Sequence, residues 1–128
     1  MKKGLFFTLL MVSAGFLFTI QACKDKENQA PVITLAEPAD GEMVMLGDSV
    51  HIEFTATDDE ELHEASVIIK SHMGDTVYAE YPMVHGLKTY DYHEHYHPVD
   101  TGMFHINIAV SDHDDKTTTK EVMFHVMQ

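Results

Sequence analysis

Ser49-Val-His-Ile-Glu-Phe-Thr-Ala-Thr57 alternates without a break. Val50, Ile52, Phe54 and Ala56 fall on one side, and His51, Glu53 and Thr55 on the other. A period of two marks a strand with one face in a core and the other in water. Before it, Val32–Leu35 opens a strand and Glu37-Pro-Ala-Asp-Gly41 reads as a turn. Gly47-Asp48 launches the quoted stretch, and the acidic loop Asp58-Asp-Glu-Glu61 follows it. The same alternation returns in Ala65–His72, Thr76–Tyr81, Thr89–His97, Met103–Ser111 and Lys116–Met127. No segment shows the 3.6-residue period of an amphipathic helix. About seven short strands with turn signals between them predict an all-β, immunoglobulin-like antiparallel β-sandwich at 31–128.

The segment ahead of the sandwich gives an address. Lys2 and Lys3 form a positive start, Gly4 to Ile20 are mostly apolar, and Ile20-Gln-Ala22 leads into Cys23. An apolar residue three before a Cys, with a small residue just before it, has the form of a lipobox. Residues 1–22 therefore read as a lipoprotein signal peptide, with Cys23 the site of lipid attachment. The alternatives are an uncleaved membrane anchor and a secreted protein cut near Ala22. Residues 23–30, with Lys24-Asp-Lys-Glu-Asn-Gln-Ala30, have no apolar periodicity and suit a flexible acidic tether. The acids after Cys23 resemble the tag that sends many Bacteroidota lipoproteins to the outer face of the outer membrane. That resemblance favours the cell surface over the periplasmic face, with the membrane reached through the N-terminal lipid.

Charge narrows the partners. The 128-residue chain has 8 Lys, no Arg and 21 acids, a formal charge of −13. Without residues 1–22, 6 Lys face 21 acids, or −15. Nucleic acid is excluded as a partner because its binding needs a basic footprint. The lack of Arg removes the bidentate clamp used for phosphate. Cys23 is the only cysteine, so the sandwich has neither a disulfide nor a thiolate ligand and must hold by its core. There is no Gly-x-Ser-x-Gly elbow, phosphate loop or His-Glu-x-x-His motif. A flat strand face also offers no pocket that excludes water. The expectation is that the protein is not an enzyme.

Ten His in the chain are the compositional excess. Tyr90-Asp-Tyr-His-Glu-His-Tyr-His97 puts Asp91, His93, His95 and His97 on one strand face. Neutral imidazoles with a carboxylate suit Zn²⁺ or Cu²⁺. Same-face neighbours sit roughly 6.5–7 Å apart, so two His converge easily and a third strains the geometry. The strand Ser49–Thr57 is the usual neighbour in this fold class, with His51 and Glu53 outward on it. His93, His95 and His97 would be the core ligands, and Asp91 or His51 would complete the shell. A two-fold interface is another way to complete such a half-site, which leaves a dimer open.

Two weaker constellations accompany it. If the last two strands form a hairpin around Asp112–Lys116, Phe104, Ile106, Ile108 and Val110 face the core with Val122, Phe124 and Val126. Met103, His105, Met123, His125 and Met127 then face outward, a soft donor set suited to Cu⁺ or an apolar patch for a partner. Asp58, Asp59 and Glu60 in one loop and Asp112, Asp114 and Asp115 in another share an end of the fold. Asp58, Asp59, Asp112 and Asp114 could gather there around Ca²⁺, although no EF-hand spacing is present.

Pro31-Val-Ile-Thr-Leu, Glu-Pro-Ala-Asp-Gly and Gly-Asp-Ser-Val-His-Ile resemble the opening of many bacterial immunoglobulin-like domains. Thr55-Ala-Thr-Asp-Asp59 and Ala109-Val-Ser-Asp-His-Asp-Asp115 resemble their loop entries. More narrowly, His93-Glu-His-Tyr-His-Pro98 followed by Val-Asp-Thr-Gly-Met-Phe-His105 resembles His-rich lipoproteins of Bacteroidota, a domain family of unknown function. Members carry a denser His cluster after the third strand, where this chain keeps only His72. The resemblance implies an exported, lipid-anchored sandwich that handles metal and has no enzyme activity. Two functions follow as expectations. The first is capture or hand-over of Zn or Cu through the His-rich strand. The second is an accessory module that docks an outer-membrane transporter or another envelope protein. With so many His, pH sensing is a third.

Overall fold

The computed structural model describes residues 28–128. The expected signal peptide, Cys23 and the first part of the tether lie outside the described residues. Eight strands run in chain order: β1 Val32–Glu37, β2 Glu42–Met45, β3 Val50–Thr57, β4 Leu62–Ser71, β5 Thr76–Glu80, β6 Thr89–Tyr96, β7 Gly102–Asp112 and β8 Thr117–Met127. They form two sheets, ordered β1-β3-β6 and β2-β8-β7-β4-β5. The result is an immunoglobulin-like all-β sandwich. Among the described residues no helix is long and apolar enough to cross a membrane.

Alternation builds the core as expected. Val50, Ile52, Phe54 and Ala56 of β3 meet Phe104, Ile106, Ile108 and Val110 of β7 and Val122, Phe124 and Val126 of β8, all buried. Phe54 stacks on Tyr92 with ring centroids 4.9 Å apart. Phe124 stacks on Phe104 at 5.2 Å and meets the Tyr96 edge at 6.3 Å. Phe54–Tyr92 lies within the small sheet and Phe104–Phe124 within the large one, so the Tyr96–Phe124 contact is the one of these that joins the two layers.

Three departures from the sequence reading matter for function. First, β2 is an additional strand, parallel to β8, pairing Met43 with His125 and Met45 with Met127. Four residues are too few to show a period, and the flanking turn residues concealed it. Second, β4 begins at Leu62 rather than Ala65. Leu62 pairs with Asp112 and Glu64 with Ser111, so His63 is the extra residue of a β-bulge. The bulge is why Leu62 and Ala65, three apart, both point into the core. Third, β6 ends at Tyr96, so His97 lies past the strand, just before Pro98. Pro has no N–H to extend a ladder.

A polar clasp closes one edge of the sandwich. Glu80 of β5 accepts hydrogen bonds from the hydroxyls of Tyr78 and Tyr92, each at 2.5 Å. Burial, then the hydrogen bond to Glu80, pushes the Tyr92 phenol far above its ordinary range. Burial also raises Tyr78, Tyr90 and Tyr96. A raised folded-state value contributes stability that is complete below the unfolded value of about 10 and is lost as pH climbs above it. Tyr92 alone should reduce unfolding free energy by about 1.4 kcal/mol per pH unit above that point. Urea melts at pH 9 and 11 should show the loss, and Tyr92→Phe should flatten it. A wild-type profile level through that window would refute the assignment.

Candidate metal centre

Three local structures at one end of the sandwich aim imidazoles at one another. His63 is the bulge residue of β4, and bulges redirect side chains out of the regular pleat. His85 sits in the β5–β6 loop, in the turn Val84-His85-Gly86-Leu87, closed by Leu87 N–H donating to Val84 C=O at 3.0 Å. Gly86 takes φ +82°, the third-position conformation of a type II turn that suits glycine. The turn is fastened to the start of β4. Leu62 N–H donates to Leu87 C=O at 2.7 Å, and Gly86 N–H donates to Leu62 C=O at 3.1 Å. Val84, buried in the core, anchors it from below. His113 opens the β7–β8 turn, which Asp112 holds. One Asp112 oxygen accepts the Asp114 and Lys116 amides at 2.8 and 2.9 Å.

The ligating nitrogens of His63, His85 and His113 all lie within 4.8 Å of one another. Their ring centroids are 4.5 Å (63–113), 4.8 Å (85–113) and 5.4 Å (63–85) apart. Among the described residues this is the one set of three or more His and acidic side chains that converges so closely. Around a tetrahedral ion with Zn–N of about 2.0–2.1 Å, nitrogens stand roughly 3.3 Å apart, so modest side-chain rotation closes the set. Two further observations fit a cation. His63 Nδ1 is buried with no hydrogen-bond partner, a state that costs free energy unless something binds there. Glu61 lies 3.8 Å from His113 Nε2, within reach as a fourth ligand. Neighbouring Asp59 and Glu60 add negative charge.

The residues singled out on the His-rich strand occupy a different face. Asp91, His93 and His95 point outward from β6 together. As expected, β3 is the neighbour, with His51 opposite His95 and Glu53 opposite His93. The His51 and His95 rings are 4.0 Å apart, and His93 lies 5.2 Å from His95. Each outer ring meets a carboxylate at 3.5 Å, His51 with Glu37 and His93 with Glu53. Asp91 accepts a hydrogen bond from Thr55 at 2.7 Å. His97 is not brought into this group, because the strand ends first.

The other expected sets also find places. Met103 pairs with His125 and His105 with Met123 on the outer face of β7–β8. His105 Nδ1 lies 3.2 Å from Glu121. In the acidic loops, Asp112 is fully buried and its carboxylate is already engaged. Besides the two turn amides, it accepts the Asn28 side-chain amide at 3.0 Å. Asp58 accepts the Glu60 amide at 2.9 Å, and the Lys116 ammonium reaches the Asn28 carbonyl. Asp59 stays exposed, and Asp114 also meets Asn28. Asp112 thus organises the turn that carries His113. Asp112→Ala should strand three donors and cost about 1–3 kcal/mol, readable by thermal unfolding. An unchanged midpoint would mean the turn holds itself.

The His63/His85/His113 set escaped the sequence reading because its members are 22 and 28 residues apart, in three separate loops or strand ends. Two signals were present. Leu62 and Ala65 break the two-residue parity around His63, and His85-Gly86 is a turn pair. The Asp58 and Asp112 loops share this end of the fold, and the His side chains beside them lie there too.

With this geometry in place, sequence comparison adds a family. A family profile described as "Domain of unknown function (DUF4625)" matches residues 21–127. The chain belongs to that DUF4625 family. No curated protein matches it in sequence. Among solved structures, an engineered protein is similar at TM-score 0.57 and 14% identity, over 77% of this chain and 20% of that one. The PKD domain of an M14-like peptidase from Thermoplasmatales archaeon SCGC AB-540-F20 is similar at TM-score 0.53 and 12% identity, over 79% of this chain and 99% of that domain. Fibronectin(III)-like modules of Clostridium thermocellum CbhA reach TM-score 0.49 and 19% identity, over 77% of this chain and 47% of theirs. At these identities the likeness concerns the fold alone.

Proposed function

We propose that this DUF4625 domain binds a transition metal, zinc or copper, through His63, His85 and His113, for capture or hand-over at the cell envelope. The observation that carries the reading is the convergence of three imidazole nitrogens within 4.8 Å. Neutral imidazoles are suitable ligands for Zn²⁺ and Cu²⁺, and the folded part offers no thiolate to compete. His85 and His113 are exposed and His63 is half-buried, so an ion there stays open to solvent and to a receiving ligand. Three protein ligands with one position free would suit exchange better than the closed four-ligand sites that serve structure. The lipidated Cys23 and the tether would hold this end of the sandwich near a membrane surface.

Isothermal titration of purified full-length protein in detergent with Zn²⁺ tests the reading. The expectation is one equivalent bound with a Kd below about 10 μM, or about −7 kcal/mol. No binding of Zn²⁺ or Cu²⁺ at that strength would defeat it.

A further inference from the structure

Five of the nine methionines in the chain lie on the outer face of the five-stranded sheet: Met43 and Met45 on β2, Met103 on β7, Met123 and Met127 on β8. The register sorts them into rows. Met43 pairs with His125, and His125 pairs with Met103. One imidazole is thus flanked on both sides by thioethers on strands about 4.8 Å away. Met45 pairs with Met127 in the next row. Met123 sits two residues before His125 on the same face, roughly 6.5–7 Å along the strand. The alternation that buries Val44, Val122, Phe124 and Val126 forces all of these side chains outward.

We propose that this face is a second metal site, selective for Cu⁺, with Met43, Met103 and His125 as its ligands and Met123 and Met127 flanking them. Thioether sulfur is a soft donor that prefers Cu⁺ to Zn²⁺ or Cu²⁺. Met is flexible, with three rotatable bonds, so sulfurs from either side can close over His125. Met43 is 67% and Met103 38% exposed, which leaves both sulfurs free to reach an ion. His105 is not in the set because it is engaged with Glu121. The site shares no residue with the His63/His85/His113 centre, so either can fail without the other.

Cu⁺ titration of the full-length Cys23→Ser protein, kept reduced and in competition with a chromogenic Cu⁺ chelator, tests it. The expectation is one equivalent bound at this face. Met43→Leu/Met103→Leu should lower affinity about 100-fold or more, because Leu keeps the apolar shape and removes the sulfur. His63→Ala/His113→Ala should leave Cu⁺ binding at this face intact. Copper-edge absorption should show sulfur neighbours in the wild type and lose them in the Leu variant, a readout independent of folding. Unchanged Cu⁺ affinity in the Leu variant would overturn the proposal. So would a copper spectrum with nitrogen and oxygen neighbours only. Retention of a membrane partner by the Leu variant, with no Cu⁺ bound by the wild type, would make the face a docking surface instead and equally overturn it.

Discussion

Replacing His63 and His113 together by Ala is expected to weaken Zn²⁺ binding by at least about 100-fold, equivalent to about 2.7 kcal/mol. The variant keeps His85 and Glu61, too few ligands for a tetrahedral ion. Stability should follow. An ion that binds only the folded state adds about 2.7 kcal/mol when its concentration is 100-fold above Kd. For a domain of about 100 residues that is a rise in Tm on the order of 10 °C. Wild type should show this rise with zinc and lose it in chelator, and the double variant should melt at one temperature in both. His51→Ala/His95→Ala, on the opposite sheet, should keep the zinc-dependent rise. If that pair abolishes the rise while His63→Ala/His113→Ala does not, the metal belongs to the β3–β6 face.

The second large effect is structural. Phe124→Ala should cost about 3–5 kcal/mol, a large share of the 5–15 kcal/mol typical of a small domain. Phe124 is fully buried, stacks on Phe104 and meets Tyr96 across the layers, so its removal opens a cavity where the two sheets meet. With no disulfide in the folded part, nothing covalent offsets that loss. Urea unfolding should show a lower midpoint at similar slope. Gln128→Ala, at the exposed chain end, should stay within about 0.5 kcal/mol of wild type and serves as the control. A shift below about 1 kcal/mol for Phe124→Ala would mean the sheets close around the cavity or pack less tightly than the contacts indicate.

Much of the architecture was legible because a half-buried strand has an unmistakable period. The β3, β7 and β8 patterns assigned their buried residues correctly, and the β3–β6 pairing followed from the fold class. Short range defeated the reading elsewhere. The four residues of β2 carry only two outward positions, Met43 and Met45, and these acquire meaning only beside His125 and Met127. The bulge at His63 reads locally as a lapse in parity, and its effect depends on where the β5–β6 turn and the β7–β8 turn fall in space. His93, His95 and His97 drew attention because they are adjacent in sequence. A shared strand face can be read from sequence spacing alone, whereas the meeting of the β4 bulge with the β5–β6 and β7–β8 turns depends on the whole fold. The sequence likewise does not show that Asp112 is buried, with its carboxylate accepting two backbone amides and the Asn28 side chain.

The central claim is a location as well as an affinity. The most direct measurement is the anomalous signal at the zinc edge from crystals of the protein grown with one equivalent of Zn²⁺. The account predicts one strong peak among His63, His85 and His113, with nitrogen contacts of about 2.0–2.1 Å. A map with no peak there, or with zinc seated on His51, His93 and His95, would contradict it.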